Sequence, residues 1–279
     1  MERPRLAQLL IKIDKLLDRY VDSGAGSADF AHYRAFVWDG ARKALKPLAR
    51  PVRVDPRELI GIDAIKEAVV RNTQRFIDGN RANNVLLWGE RGTGKSSLVK
   101  SLLFAFPDTD LRMVQIYKHD ILTIQDLFDL LARNRPYRFI LFIDDLSFEE
   151  NQTDYKEMKA IMDGGLEEMP ENLLFYATSN RKHLIPTKFS DNDSDEVRPS
   201  DTVEEKVSLV DRFGLRFGFY HLTQDTYLEI VASYAAKYGA RVEKETLDRK
   251  AIQWALNAGG RNGRIAEQFV RTLQGDELP

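Results

Sequence analysis

At 279 residues the chain is long enough for one large or two modest domains, and its lack of cysteine excludes disulfides, thiolate metal sites and cysteine nucleophiles. Hydrophobic residues make up 43% and charged residues 30%, and no run approaches the ~18–20 apolar residues of a membrane span, so a membrane partner is not expected. The net charge of −2 gives no global pull toward nucleic acid, and His32, His119, His183 and His221 lie too far apart for ligand spacing.

In chain order, Leu6, Leu9, Leu10, Ile13, Leu16, Leu17 and Tyr20 recur at three- and four-residue steps, the pattern of an amphipathic helix. The charges interleaved with these leucines do not resemble a secretory signal, which with the absent cysteines leads to the expectation of a cytoplasmic protein. Phe30–Leu45, carrying Phe36, Val37 and Trp38, reads as a second helix, so residues 1–50 are expected to form an N-terminal helical segment. Pro47, Pro51 and Pro56 then mark a linker. From about residue 51 strands and helices alternate. Asn84–Trp88, Leu111–Tyr117, Arg138–Asp145, Leu173–Asn180 and the stretch Arg216–Leu222 read as strands, their near-continuous apolar character predicting burial on both faces of a parallel sheet. Helices are expected after the first strand (Ser96–Phe106), from Thr123 and over Asp154–Met162. The tail reads as helices only: Gln224–Tyr238, Glu245–Asn257 and Arg264–Leu273. Between the last two strands, the acidic stretch 190–205 reads as a long surface loop.

Gly89–Ser97, reading GERGTGKSS, fits G-x-x-x-x-G-K-[ST] between a predicted strand and a predicted helix. Gly89, Gly92 and Gly94 admit backbone conformations that a Cβ forbids, so the amides of Glu90, Arg91, Thr93 and their neighbours can turn inward around a phosphate. The helix N-terminus adds partial positive charge. Lys95 then reaches the β- and γ-phosphates, the Ser96 hydroxyl ligates Mg²⁺, and Ser97 is expected to bind the nucleotide with the rest of the loop. This motif predicts that the chain binds ATP. The third strand ends in two carboxylates, Asp144 and Asp145, which a parallel sheet would deliver beside the phosphate loop. Asp144 is expected to position Mg²⁺, and Asp145 to orient or deprotonate the attacking water.

With these motifs the chain resembles an AAA+ P-loop ATPase from about Leu59 to the C-terminus. The strings FIDDLSFEE, YATSNRKHL and EEKVSLVDRFG are similar to those of an uncharacterised bacterial AAA+ family of ATP-binding proteins, over nearly the whole chain. The resemblance implies an α/β core with a five-stranded parallel sheet at about 51–221 and a C-terminal helical lid at about 222–279. It implies that Glu58–Asp63, with Ile60, cups adenine, and that Asn180 holds the water against the γ-phosphate. Arg212 in LVDRFG resembles the arginine finger that reaches a neighbouring subunit's nucleotide, and Arg264 resembles the lid arginine, with Arg261 its competitor. Two departures stand out. Asp145 replaces the glutamate of many members, and YKHDIL at 117–122 carries no aromatic–hydrophobic–glycine pore loop, which argues against protein threading.

The expected function is ATP hydrolysis with Mg²⁺ at the subunit interfaces of a homo-oligomer, remodelling an unidentified protein partner. The alternative is a nucleotide-gated assembly or nucleic-acid-binding switch with little turnover, using the basic stretch Arg42, Lys43, Lys46, Arg50, Arg53 and Arg57. A small-molecule kinase fits less well, because no acceptor-binding signature is present.

Overall fold

The computed structural model describes residues 28–148, 154–163, 169–181, 184 and 209–273. Seven strands among them form one sheet: β1 (Ala35–Asp39), β2 (Ala44–Pro47), β3 (Val85–Gly89), β4 (Leu111–Ile116), β5 (Arg138–Ile143), β6 (Leu173–Ser179) and β7 (Leu215–Phe219). Their spatial order is β2-β1-β4-β5-β6-β3-β7. The helices are α1 (Asp63–Ile77), α2 (Lys95–Ala105), α3 (Ile124–Ala132), α4 (Asp154–Asp163), α5 (Gln224–Tyr238), α6 (Lys244–Asn257) and α7 (Gly263–Leu273).

Every neighbouring pair is parallel except β1 and β2, so successive strands must be joined by crossovers that cover the sheet. Both faces are therefore dry. On one face Val85, Leu87, Met113, Ile140, Phe142 and Tyr176 pack with α1 and α2. On the other, Leu86, Val114, Leu141, Ile143 and Phe175 pack with α3 and α4. Alternate residues of one strand belong to opposite clusters, as a period of two requires. Helices α5, α6 and α7 enclose a separate core of Tyr227, Ile230, Val231, Ala251, Phe269 and Val270.

The five strands expected from the sequence are all present and parallel, and the lid is helical. The helix expected over Phe30–Leu45 is not. That stretch forms the antiparallel hairpin β1–β2, and β1 pairs in parallel with β4, extending the five strands to seven. Within the expected N-terminal helical segment, the described residues 28–50 thus contain two strands of the sheet and no helix. Phe36 and Trp38 are buried against it, and the Trp38 indole N–H donates to Thr123 Oγ1 at 2.8 Å. The helix expected around Leu6–Tyr20 and the acidic loop at 190–205 lie outside the described residues. Helix α1 was not anticipated. Its buried face carries Asn72 and Thr73, whose side chains bond the Tyr176 hydroxyl at 2.9 and 2.8 Å, so polar residues interrupt the apolar stripe.

Candidate nucleotide site

The order β5-β6-β3 sets the site's layout. β6 lies between the strand that launches the phosphate loop and the strand that ends in the two acids, so its C-terminal end can touch both. After β3 the chain turns through Gly89, Gly92 and Gly94, with φ of 126°, 74° and 98°. A Cβ on Gly89 would stand 2.0 Å from the Phe219 carbonyl oxygen, and one on Gly92 2.6 Å from Asn262 Oδ1. Glycine is needed here both for conformation and for space. Helix α2 starts directly after, with no side chain capping its N-terminus, which leaves that end suited to an anion.

Lys95 is buried at 6% exposure, and its ammonium donates to the carbonyls of Gly89 (2.8 Å) and Glu90 (2.6 Å). Burial pushes its pKa down, opposed by the charges of Asp145, Glu90 and Asp144. A polyanion placed beside it would favour the charged form instead.

Asp144 is held from several sides. Ser96 Oγ donates to its Oδ1 at 2.5 Å, Thr178 Oγ1 donates to the same oxygen at 2.6 Å, and Lys100 Nζ stands 3.5 Å from Oδ2. The Thr178 hydroxyl in turn accepts from the Asp145 amide at 2.9 Å. Asp145 has φ of 56°, a left-handed conformation that aspartate tolerates better than most residues. Asn180 Nδ2 donates to its carboxylate at 2.6 Å. One threonine on β6 thus bonds the Asp144 carboxylate and the Asp145 backbone, while Asn180 holds the Asp145 carboxylate.

Above these groups lies a cavity of about 580 Å³. Its polar end is walled by residues 91–97, Asp144, Asp145, Thr178 and Asn180. Its apolar end is walled by Leu59, Ile60, Ile62, Leu222, Ile230 and Tyr234, drawn from the segment before α1 and from the lid. Burial pushes the Tyr234 phenol up to about 12, so the group stays protonated in the cavity wall. The lid also meets the phosphate loop directly: the Gly263 amide donates to the Gly92 carbonyl at 2.8 Å.

Most residues expected from the sequence converge here. Arg91, Gly92, Thr93, Gly94, Lys95, Ser96, Ser97, Ile60, Asp144, Asp145, Asn180 and Arg264 all line the cavity. Gly89 and Glu90 do not, and act through their carbonyls on Lys95. Arg261 bonds Gln224 Oε1 at 3.2 Å and does not line the cavity, whereas Arg264 does. Arg212 is not part of this wall; it makes a two-point ion pair with Asp163 at the end of α4. Thr178, Lys100, Leu222, Ile230 and Tyr234 were not singled out in advance. Thr178 lay inside the recognised strand string, but its contact with Asp144 depends on a β5–β6 register that no local pattern reveals.

The family profile described as "Protein of unknown function (DUF815)" matches residues 31–277. The chain belongs to that family. Its fold is that of AAA+ P-loop domains of known structure. The structure is similar to the Thermotoga maritima RuvB Holliday junction branch migration motor, with a TM-score of 0.53 at 18% identity over 78% of this chain. A point mutant of the same motor gives 0.55 at 15% identity over 81% of this chain and 68% of that one. The FIGL-1 AAA domain in complex with ADP gives 0.52 at 17% identity, over 77% of this chain and 70% of that chain. The match spans 63% of the RuvB chain's length, and at such identities the likeness concerns fold alone. Among curated proteins, none matches this sequence.

ATP and Mg²⁺ fit the residues present. The glycine turn provides a cradle that side chains would fill, and Lys95 and Arg264 supply positive charge. Asp144 and Ser96 offer the hard oxygens that Mg²⁺ prefers, few enough that phosphate oxygens would complete its shell. No helix among the described residues is long and apolar enough to cross a membrane.

Proposed function

We propose that this DUF815 protein is a Mg²⁺-dependent ATPase that works as a homo-oligomer and uses its cycle to remodel a protein partner. The observation that supports it best is the shared fixing of Asp144 by Ser96 and Thr178, beside a glycine cradle and under a helical lid. Phosphoryl transfer asks the protein for positioning and charge, not for covalent chemistry. In this reading residues 51–221, joined by the β1–β2 hairpin, form the core, and residues from about 222 form the lid.

Lys95 leaves the loop carbonyls for the β- and γ-phosphates, while Ser96 and Asp144 hold the metal. When bound, Mg²⁺ neutralises charge on the phosphate oxygens. Ile60, Ile230 and Tyr234 enclose the base. Asn180 keeps the Asp145 carboxylate turned toward the polar end, where it accepts the proton of the attacking water. Arg264 reaches the phosphates from the lid, and Arg212 serves the nucleotide of a neighbouring subunit, where such a finger contributes ~10³–10⁵ in rate.

One observation favours the slower, switch-like version. The Asn180 amide that would hold water is already engaged by Asp145, an acid one methylene shorter than glutamate. The nucleic-acid part of that alternative has less support, since Arg42, Lys43 and Arg57 pair with Asp39, Asp126 and Asp55 and Arg53 lies over Phe104.

Thermal unfolding with and without ATP–Mg²⁺, together with phosphate release, tests the proposal. Wild type should be stabilised by ~2.7 kcal/mol at a hundredfold excess over Kd, and Lys95→Ala should lose that stabilisation. An equal shift in the variant would refute the site. Stoichiometric hydrolysis without repeated turnover would favour the switch.

A further inference from the structure

Asp163 is the last described residue of α4, and Arg212 meets it there. Nε of the guanidinium pairs with Asp163 Oδ1, and Nη2 donates to Oδ2 at 3.2 Å. Such a two-point grip defines the plane of the guanidinium as well as its distance, which a single contact would not.

Both partners rest on rigid ground. Tyr155 and Met158 of α4 are buried in the sheet's core, with Ile161 and Met162 packed against it. Arg212 sits between Val210 and Phe213, which are 7% and 1% exposed, and its carbonyl accepts from Asn84 Nδ2 at 3.3 Å. The two side chains nevertheless stay at the surface, 42% and 33% exposed. An exposed ion pair of this kind does little for stability. The grip occupies the Nε–Nη2 edge of the guanidinium, and Nη1 has no partner among the described residues.

We propose that Asp163 is the positioning residue for Arg212: it clamps one guanidinium edge so that the other is presented, already oriented, to the triphosphate held by a second copy of this chain. This rests on the inter-subunit role of Arg212 proposed above. A flexible arginine would have to be ordered each time two subunits meet, and that ordering would weigh on the chemical step. The clamp moves the ordering into folding.

Mixed oligomers test it. Asp145→Asn subunits bind ATP and offer a finger but cannot hydrolyse; Arg212→Ala subunits hold an intact pocket but offer no finger. Mixing them should restore hydrolysis at interfaces where the first serves the second. Adding Asp163→Asn to the finger-offering subunit should then lower kcat roughly 10- to 100-fold with KM unchanged. Adding it to the other subunit should change nothing, and Asp163→Glu in the finger-offering subunit should recover part of the rate. Equal losses in either subunit, an unchanged rate, or a faster one would overturn the positioning role while leaving the shared site intact. Failure of the two parent variants to complement would overturn the shared site itself, and the inference with it.

Discussion

The phosphate end of the cavity and the Arg212–Asp163 edge are built by opposite means. At the phosphate end, groups from α2, from the residue after β5 and from β6 are already bonded to one another inside a single chain, with Lys95 at 6% exposure. At the edge, two charged side chains hold each other at the surface and do not line the nucleotide cavity. The contrast separates two tasks. The residues that could hold a nucleotide come from one chain, whereas the proposed arginine finger lies outside its own cavity. In the proposed reading, that placement would let assembly control turnover.

The largest expected effect sharpens that division. Arg212→Ala should cut hydrolysis by ~10³–10⁵ and leave nucleotide affinity within a factor of two or so, as measured by phosphate release beside calorimetric titration. A matching loss of affinity would place Arg212 in its own subunit's pocket and break the comparison. Next, Gly89→Ala should destabilise the protein by roughly 3 kcal/mol, read as the midpoint of urea unfolding, because the added Cβ meets the Phe219 carbonyl at 2.0 Å in a backbone at φ 126°. Thr178→Val keeps the shape of the side chain but removes the hydroxyl that bonds the Asp144 carboxylate and the Asp145 amide. It should weaken Mg²⁺ binding in the presence of nucleotide about 10- to 100-fold, with little change in metal-free nucleotide binding. Smallest of all, Lys237→Ala removes the 2.6 Å pair with Glu58 that ties the lid to the segment before α1. With both side chains more than a third exposed, the loss should stay below ~1 kcal/mol and shrink further at high salt.

The site was legible where chemistry depends on local sequence. A phosphate loop is contiguous, and a strand ending in two acids is contiguous, so Lys95, Ser96, Asp144 and Asp145 could be read directly. Residues that matter through register could not. Thr178 meets Asp144 only because Ile143 pairs with Ala177 across β5 and β6. Leu222, Ile230 and Tyr234 reach the cavity only because the lid folds over it. The β1–β2 hairpin misled for a different reason. Ala35, Phe36 and Trp38 are buried because β1 lies inside the sheet between β2 and β4, which removes the alternation that marks a strand with one wet face. The remaining signal was the Asp39-Gly40 pair at the turn, a known hairpin cue.

The central claim is that a single chain captures a magnesium–triphosphate in the cavity between core and lid. Calorimetric titration of dilute protein with a non-hydrolysable ATP analogue and Mg²⁺ tests it most directly, run in parallel on Lys95→Ala. The account predicts a saturable isotherm with one nucleotide bound per chain in wild type and no measurable heat in the variant. A flat trace for wild type, or the same isotherm from both proteins, would contradict it.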